Sequence, residues 1–495
     1  MHRPLTASLL VLTMLLALVG SMTFSLTESD EDSSLTVARS GATAWLHDRA
    51  EAVGNAGSHS SMEIAPDGSM WIAHVKDGDL HVTNNADGYW LTDQVYSFGE
   101  TGRMANLQID SNGLPRVAHI DITNHVLRIS RYDGNSWSTT TVAPGEDTGE
   151  EGPYTDNIGR IGFRIGTDGT EHYSYYTGDY DLAYSSYDGT TWSTQIIDDG
   201  QGESEDYDGY SRMGRWSDLV IGASGQPEVA YTGYFVDATY NPVTNQIEDA
   251  WYMENVRHAI LTPGGWTVNT IIDNETGDFS TEYLWIAAGQ DASGMMHIAY
   301  QNRSLSRESV WMATQNSGSW NIERVSQGIA DGFFVRLAFD SSDSPRIAWY
   351  DESLEDAVIM REESGSFVRV TVASSGDVGQ HLDLALNSND EEILSYHDAT
   401  DLDLMVSIPG VDADGDGIVD SIDRCPGSPS SARTDSIGCD WTPGELSTDT
   451  DDFAYLESTR TSDGTLYMVL FEGYEKGTTS CDHDPGTNMN DSDDC

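Results

Sequence analysis

Short runs in which hydrophobic and polar residues alternate recur along the middle of the chain, and this period of two predicts β-strands. A small residue followed by an aromatic residue marks the end of one such run in each repeat. The seven copies, spaced by 45 to 69 residues, are Ala73-His74, Ala118-His119, Ser174-Tyr175, Ala230-Tyr231, Ala299-Tyr300, Ala348-Trp349 and Ser395-Tyr396. An aromatic residue with a β-branched residue five positions later, such as Trp137 and Val142, marks a second run. Repeats of this length with four short strands are typical of β-propeller blades, and helical solenoids are disfavoured.

The second repeat shows the strands most clearly, at about 106–110, 116–120, 126–132 and 137–142. The last repeat lacks a fourth strand with its own tryptophan, whereas the segment around Trp45 resembles an orphan fourth strand. Because closing the ring removes edge strands, we expect this N-terminal strand to complete the last blade. The sequence therefore predicts an all-β, seven-bladed propeller over residues 34–408. The alternative for Trp45–Val53 is a short helix on the rim.

The charge of the chain narrows the range of its partners. It has 495 residues, 82 acidic and 24 basic, with a formal net charge of −58. Such a surface repels phosphate, which excludes nucleic acids and anionic lipid as direct partners. It also attracts divalent cations. A hydrophobic content of 38%, with 13 Trp and 23 Tyr, is sufficient for packed cores.

The N-terminus and the cysteines both point outside the cytoplasm. A basic start, an apolar run over Leu9–Val19 and small residues after it predict a signal peptide over residues 1–25. An uncleaved membrane anchor is the alternative. We therefore expect an extracellular or cell-surface protein. The cysteines all lie in the last 71 residues, where local pairing is the simplest of three disulfide connectivities: Cys425 with Cys439 and Cys481 with Cys495.

The turns that precede two tryptophans carry a resemblance to a known family. Asp133-Gly134-Asn135-Ser136-Trp137 and Asp188-Gly189-Thr190-Thr191-Trp192 resemble the Asp-box repeats of sialidase-like propellers, with the aspartate directly before the glycine. In that family the box is a structural turn far from the active site, so the resemblance implies the fold and not the activity. The family's arginine–isoleucine–proline motif is absent, and no Tyr–Glu pair can be assigned by spacing.

One face of the propeller is expected to hold the ligand site. Three arginines, Arg103, Arg160 and Arg215, each follow a glycine just before an inner strand. Loops between second and third strands open on the same face and supply Asp121, Asp179, Asp181, Asp351, His397 and Asp398. Together they suit an anionic or hydroxyl-rich ligand. The alternative is structural: arginines paired with aspartates between blades, and aspartates that cap turns. An inserted segment over Tyr234–Ala250 is expected to add a loop to this face.

A calcium loop follows the propeller at residues 409–440. Asp412 to Asp423 fits an EF-hand-like loop, with acidic residues at positions 1, 3, 5, 9 and 12 and glycine at position 6. Cys425-Pro426 and Gly438-Cys439 follow, and the segment resembles the thrombospondin type 3 repeat. That resemblance implies a Ca²⁺ ion held by Asp412, Asp414, Asp416, the carbonyl of Ile418, Asp420 and Asp423. Residues 441–495 form an acidic tail that is expected to be partly disordered.

The sequence thus predicts an exported, calcium-binding propeller that acts in extracellular binding or adhesion. The expected partner is a glycan or protein ligand, and the chain is expected to be a monomer. Two alternatives stay open, a sialidase-like glycoside hydrolase acting on acidic sugars and a structural cell-surface spacer.

Overall fold

The chain forms a seven-bladed β-propeller, as its repeats predict. A computed structural model describes residues 44–142, 160–200, 210–222, 224–240, 247–276, 282–304, 307–316, 318–326, 328, 330–363, 365–410, 453–460 and 466–472. Seven four-stranded antiparallel sheets make up the ring, and every regular element in these residues is a strand. The N-terminal apolar run, the calcium loop and all four cysteines lie outside the described residues, so the signal peptide, the Ca²⁺ site and the disulfides stay predictions.

The strands of the first four blades run from the axis outward in chain order. Blades 1 and 2 contain β2 (Ala56–Ile64), β3 (Met70–Lys76), β4 (Asp79–Asn84), β5 (Leu91–Tyr96), β6 (Thr101–Ile109), β7 (Pro115–Asp121), β8 (Val126–Tyr132) and β9 (Trp137–Thr141). Blades 3 and 4 contain β10 (Gly162–Ile165), β11 (Glu171–Tyr176), β12 (Leu182–Tyr187), β13 (Trp192–Asp198), β14 (Tyr210–Ile221), β15 (Pro227–Tyr240), β16 (Ile247–Thr262) and β17 (Gly265–Thr276).

The remaining blades follow the same order except the last. Blades 5 and 6 contain β18 (Glu282–Gln290), β19 (Met296–Ser304), β20 (Arg307–Asn316), β21 (Ser319–Arg324), β22 (Phe333–Phe339), β23 (Pro345–Asp351), β24 (Asp356–Glu363) and β25 (Ser366–Ala373). Blade 7 contains β26 (Val378–Leu386), β27 (Glu392–Asp398), β28 (Asp403–Gly410) and, outermost, β1 (Ala44–Glu51). A separate hairpin pairs β29 (Phe453–Arg460) with β30 (Leu466–Glu472).

The N-terminal strand closes the ring. Antiparallel pairing joins β1 to β28, from Ala44 opposite Gly410 to Glu51 opposite Leu404. Trp45 packs against the core between blades 6 and 7, and the Trp90 indole N–H donates to Asp48 at 2.7 Å. The segment that sequence alone allowed as a helix is therefore an extended strand, held by its main chain to the end of the propeller.

The repeated small residue has a structural reason in every blade. It lies on the second strand and is the cross-strand partner of one residue on the inner strand: Ser61 with Ala73, Asn106 with Ala118, Gly162 with Ser174, Asp218 with Ala230, Ala287 with Ala299, Arg336 with Ala348, and Asp383 with Ser395. Each small residue is completely buried. Blades converge toward the axis, so the space between neighbouring sheets narrows there and admits only a small side chain.

At two of the seams between neighbouring blades, a buried glutamate pairs with two arginines of the preceding blade. Between blades 2 and 3, Glu171 accepts hydrogen bonds from Arg116 and Arg131, and the Arg131 Nε–H donates at 2.8 Å. Equivalent positions between blades 6 and 7 hold Glu392, which accepts from Arg346 Nε at 2.9 Å and from Arg361 Nε at 2.8 Å. We call these two groups the seam clamps. Each places one buried carboxylate between two guanidinium groups.

The inserted segment of blade 4 forms strand instead of the expected loop. β15 and β16 pair from Glu228 opposite Ile260 as far as Tyr240 opposite Ile247. The inner strand β14 follows them, with Tyr210 opposite Val236. β15 continues nine residues past Tyr231, whereas β23 ends two residues past the equivalent Trp349. At about 3.3 Å per residue the second strand of blade 4 therefore extends roughly 20 Å further than that of blade 6.

Candidate functional site

The upper face of the propeller carries the connections between blades and the loops between second and third strands. Asp121, Asp351 and Asp398 lie there in equivalent turns. Each carboxylate accepts main-chain hydrogen bonds two or three residues further on, such as Asp351 from Ser353 N at 3.0 Å and Asp398 from Thr400 N at 2.9 Å. These aspartates therefore cap the turns that contain them.

Two of these aspartates also form ion pairs. Asp121 accepts from Arg128 Nε at 2.8 Å, and Asp351 from Arg369 at 2.6 Å. Although burial raises the pKa of Asp351, hydrogen bonds from Ser353 and Arg369 outweigh it and hold that pKa below its usual value. Both carboxylates are thus buried and already paired with an arginine, which suits a structural role better than that of a general acid.

The other loop residues predicted for this face are dispersed. His397 is buried, and its Nδ1 lies 2.7 Å from the carbonyl oxygen of Ala56 in blade 1. Asp179 is exposed on blade 3. Nearby, burial and the charges of Asp199, Asp179 and Asp198 raise the pKa of Asp181. Among the described residues, no three or more His, Cys, Asp and Glu side chains are arranged to hold a metal ion.

The three predicted arginines do not occupy equivalent positions, contrary to the expectation from their glycines. Arg103 and Arg215 each lie 15 residues before the small residue of their repeat, at 118 and 230, whereas Arg160 lies 14 before Ser174. Arg103 pairs with Glu100, and the Arg215 guanidinium lies 5.9 Å from the ring of Trp216. Arg160 takes instead the position that Trp216 has in blade 4, and its side chain enters the channel.

Side chains at this position meet around the axis. The inner strands of six blades are bulged here, and five of these residues have positive φ: His59, Met104, Trp285, Phe334 and His381. A chain of ring contacts, with centroids 4.3 to 4.4 Å apart, then joins residues that we call the axial cluster: His59, His381, Phe334, Trp285 and Trp216. Met104 packs against the core group that contains Trp216.

The axial cluster keeps its histidines neutral. Burial, with the charge of Arg103 second, lowers the pKa of His59 to about 3. Burial also lowers the pKa of His381 well below its usual value. A neutral imidazole packs against apolar rings at little cost, whereas a charged one loses hydration that these rings do not replace. The cluster therefore forms an apolar layer across the channel.

A polar cavity of about 180 Å³ lies below the axial cluster, between the inner strands of all seven blades. Its charged lining comprises Arg160, Arg164, Arg336, Glu63, Asp218 and Asp383. Asp218, Arg336 and Asp383 are the inner-strand partners of the repeated small residue, twelve positions later in each case (218 and 230, for example). The sequence predictions did not include these three residues, although counting back twelve positions from each marker finds them.

The carboxylates of the cavity differ in their partners. Asp383 accepts from Arg336 Nε at 2.6 Å and from Met62 N at 2.7 Å. Asp218 lies 3.4 Å from Arg160 and 3.5 Å from Arg164. Burial raises the pKa of Glu63 to about 7, and the Gln108 amide donates to it at 2.7 Å.

A second polar and aromatic group lies on the upper face where blade 4 rises. The Tyr180 ring, in the loop between β11 and β12, lies 5.4 Å from the Arg212 guanidinium and 6.0 Å from the ring of Tyr176. The carbonyl of Tyr180 accepts from Met213 N at 2.8 Å, which fixes this loop to β14. Arg212 lies in the part of β14 that pairs with the tall hairpin, opposite Tyr234. We call Tyr176, Tyr180 and Arg212 the upper-face patch.

The comparisons with known proteins concern the fold. No sequence model of a protein family matches the chain, and no curated protein is similar to it in sequence. A PL25 ulvan lyase, a polysaccharide lyase, is 11% identical with a TM-score of 0.49 over 72% of this chain and 94% of its own. Virginiamycin B lyase from Staphylococcus aureus is 10% identical, with a TM-score of 0.43 over 74% and 100%.

A third similar structure is a lectin. SapL1, solved with alpha methyl fucoside, is 14% identical with a TM-score of 0.38 over 66% of this chain and 97% of its own. The similar structures thus include both lyases and a lectin, and likeness of fold does not decide between binding and catalysis. In the part of the chain that the structure describes, no helix has the length and hydrophobicity to cross a membrane.

Proposed function

We propose that the protein is an extracellular recognition module whose propeller binds a hydroxyl-rich ligand, a glycan, at the upper-face patch. The observation that carries this proposal is the tall sheet of blade 4 beside Tyr180 and Arg212. Aromatic faces stack on the C–H faces of sugar rings, and a guanidinium beside them donates to hydroxyl or carboxylate oxygens. The extended β15–β16 hairpin of blade 4 lies beside the patch and gives such a ligand a second surface.

Binding without turnover is the form of this function that the geometry favours. Most glycoside hydrolases use two carboxyl groups in different protonation states across the bond they break, whereas sialidases use a tyrosine as the nucleophile. The buried upper-face carboxylates of Asp121 and Asp351 are instead held by arginines, and Asp398 caps its turn. Of the patch, the half-buried Tyr180 ring and the Arg212 guanidinium are the groups that suit contact with a ligand, and both suit binding better than proton transfer.

The calcium repeat and export complete the proposal. The loop from Asp412 to Asp423 has the acidic spacing of a Ca²⁺ site, and the N-terminal apolar run fits a signal peptide. Extracellular modules of this type bind Ca²⁺ at about 10⁻⁴ to 10⁻³ M, so the ion is retained where calcium is plentiful. In this proposal the ion orders residues 412–440, and the propeller carries the recognition.

The test is a glycan array probed with the full chain, followed by titration of each hit. Tyr180→Asn is the informative variant, because asparagine tolerates the φ of 71° at this position. Tyr187→Asn is its matched control: Tyr187 lies on the same blade at the opposite face, 5.2 Å from the Arg131 guanidinium. We expect at least tenfold weaker binding for Tyr180→Asn only. Equal affinities for the two variants would contradict the proposed site, and cleavage of a hit would replace binding with catalysis.

A further inference from the structure

From the channel cavity we infer an anion-binding site that takes a small oxyanion, a carboxylate or sulfate group, between Arg160 and Arg336. This site is separate from the upper-face patch, because the axial cluster lies between the cavity and the upper face. The two ligands would also differ in kind: one is an extended sugar held at the surface, and the other is a small ion enclosed by the fold.

The first support is an imbalance of charge among the lining groups. Three guanidinium groups, of Arg160, Arg164 and Arg336, face two aspartates. Asp383 is occupied by Arg336 and by the main chain of Met62. Asp218 also accepts from two main-chain N–H groups, those of Leu219 at 2.9 Å and Ala288 at 3.0 Å. Its contacts with two arginines are therefore long, and one positive charge stays without a full counterion when Glu63 is protonated.

The second support is the proximity of like charges. Burial, and next the charge of Arg336, lower the pKa of Arg160 to about 10. Arg160 and Arg336 come from blades 3 and 6 and meet in one cavity. Two guanidinium groups that line one buried cavity repel each other in a medium of low dielectric constant, and an anion between them removes that cost. Their planar forks suit a bidentate oxyanion better than a spherical ion.

Glu63 links the site to pH. The groups that face it are Gln108 on β6, Arg164 on β10 and Asp383 on β26, with Arg160, Asp218 and Arg336 further along the same cavity. Because burial raises its pKa to about 7, the carboxyl changes its protonation state near neutral pH. A protonated Glu63 leaves the cavity with a net positive charge, whereas an ionised Glu63 competes with the anion for Arg164. Anion affinity is therefore expected to fall as the pH rises through 7.

The size of the cavity is consistent with such an occupant. About 180 Å³ accommodates an oxyanion of a few heavy atoms together with ordered water. Glu63 and Arg164 lie one residue before the ends of β2 and β10 at the lower face, and the Arg164 side chain is 28% exposed. The lower end of the channel is thus the expected entrance.

The test is calorimetric titration of the full chain with sodium sulfate and sodium acetate, against sodium chloride at equal ionic strength, at pH 6 and pH 8. Affinity is measured directly, because sulfate raises the melting temperature of folded proteins nonspecifically. The variants are Arg336→Gln and Glu63→Gln. Arg346→Gln is the matched control, because Arg346 is also buried and paired with Asp340 and Glu392 but lies outside the cavity.

We expect tighter binding of an oxyanion at pH 6 than at pH 8, at least tenfold weaker binding in Arg336→Gln, and unchanged affinity in Arg346→Gln. Glu63→Gln is expected to bind at least fivefold more tightly at pH 8 and to lose the pH dependence. Should Arg336→Gln fail to fold, Glu63→Gln alone decides. Equal heats for oxyanion and chloride, or a Glu63→Gln affinity that still changes with pH, would overturn the inference. Neither result bears on the upper-face patch, which the glycan titrations test separately.

Discussion

The seam clamps and the channel cavity are built from the same residue types, arginines and carboxylates, but the two regions pair these charges differently. In the clamp between blades 6 and 7, Arg346 and Arg361 each lie within 2.9 Å of Glu392. In the cavity, Arg160 and Arg164 reach Asp218 only at 3.4 and 3.5 Å, and Glu63 is protonated in part near neutral pH. Close pairing of buried charges fixes one blade to the next, whereas incomplete pairing leaves charge available to a ligand. A cluster of arginines therefore does not by itself indicate a binding site.

The largest effect on stability is expected from removing the N-terminal strand that closes the ring. Deleting residues 44–51 takes β1 from blade 7 and exposes the edge of β28. We expect loss of cooperative unfolding, because the ring opens and the core around Trp45 loses one wall. Differential scanning calorimetry of the shortened chain measures this. An unchanged melting transition would show that blade 7 is stable without its N-terminal strand.

Glu392→Gln is the next largest perturbation of a seam. It leaves the guanidinium groups of Arg346 and Arg361 without their shared carboxylate, at an expected cost of about 3 to 5 kcal/mol in the free energy of unfolding. Urea denaturation measures the change. Glu391→Gln is the matched control, since Glu391 is exposed and bonds to Asn387 in its own turn. A loss of similar size in both variants would mean that the clamp adds nothing specific.

Glu63→Gln is expected to act in the opposite direction. The pKa of Glu63 is raised from 4.5 to about 7 by burial, so the folded protein retains a proton that the unfolded chain releases. Ionising Glu63 therefore costs stability progressively as pH rises from about 4.5 to 7, by roughly 3 kcal/mol in all. Glutamine removes this cost. The variant should be more stable than the wild type at pH 8 and equal to it at pH 4 in urea titrations, and an equal difference at both values would contradict this.

Calcium removal is expected to have the smallest effect on the propeller. The acidic loop from Asp412 to Asp423 lies beyond the last blade, which ends at Gly410. Because ion binding and folding are coupled in such a loop, chelation should unfold residues 412–440. The propeller transition should stay within about 1 °C, and Asp416→Ala should reproduce the chelated state. A large shift of the propeller transition would mean that the ion stabilises the blades as well.

The fold was predictable because its signal repeats. Ala118, Ala348 and their counterparts recur since each faces the narrow space near the axis, which imposes one residue class on all seven blades. The candidate site was less predictable because it depends on departures from the repeat. Arg160 follows a glycine as Arg103 does, yet it lies one position closer to its marker and so enters the channel. The strands of blade 4 likewise extend into the segment Tyr234–Ala250, which the sequence predicts to be a loop.

The most direct test of the proposed function separates binding at the upper-face patch from stability at a seam clamp, in two variants of the full chain. Tyr180→Asn changes the upper-face patch, and Arg346→Gln changes a seam clamp. For each variant we would measure the affinity for a glycan that binds the wild type and the free energy of unfolding in urea. We predict that Tyr180→Asn loses at least tenfold in affinity at nearly unchanged stability. Arg346→Gln should lose stability and keep its affinity. Loss of affinity in Arg346→Gln, or wild-type affinity in Tyr180→Asn, would contradict the proposed division between recognition and stability.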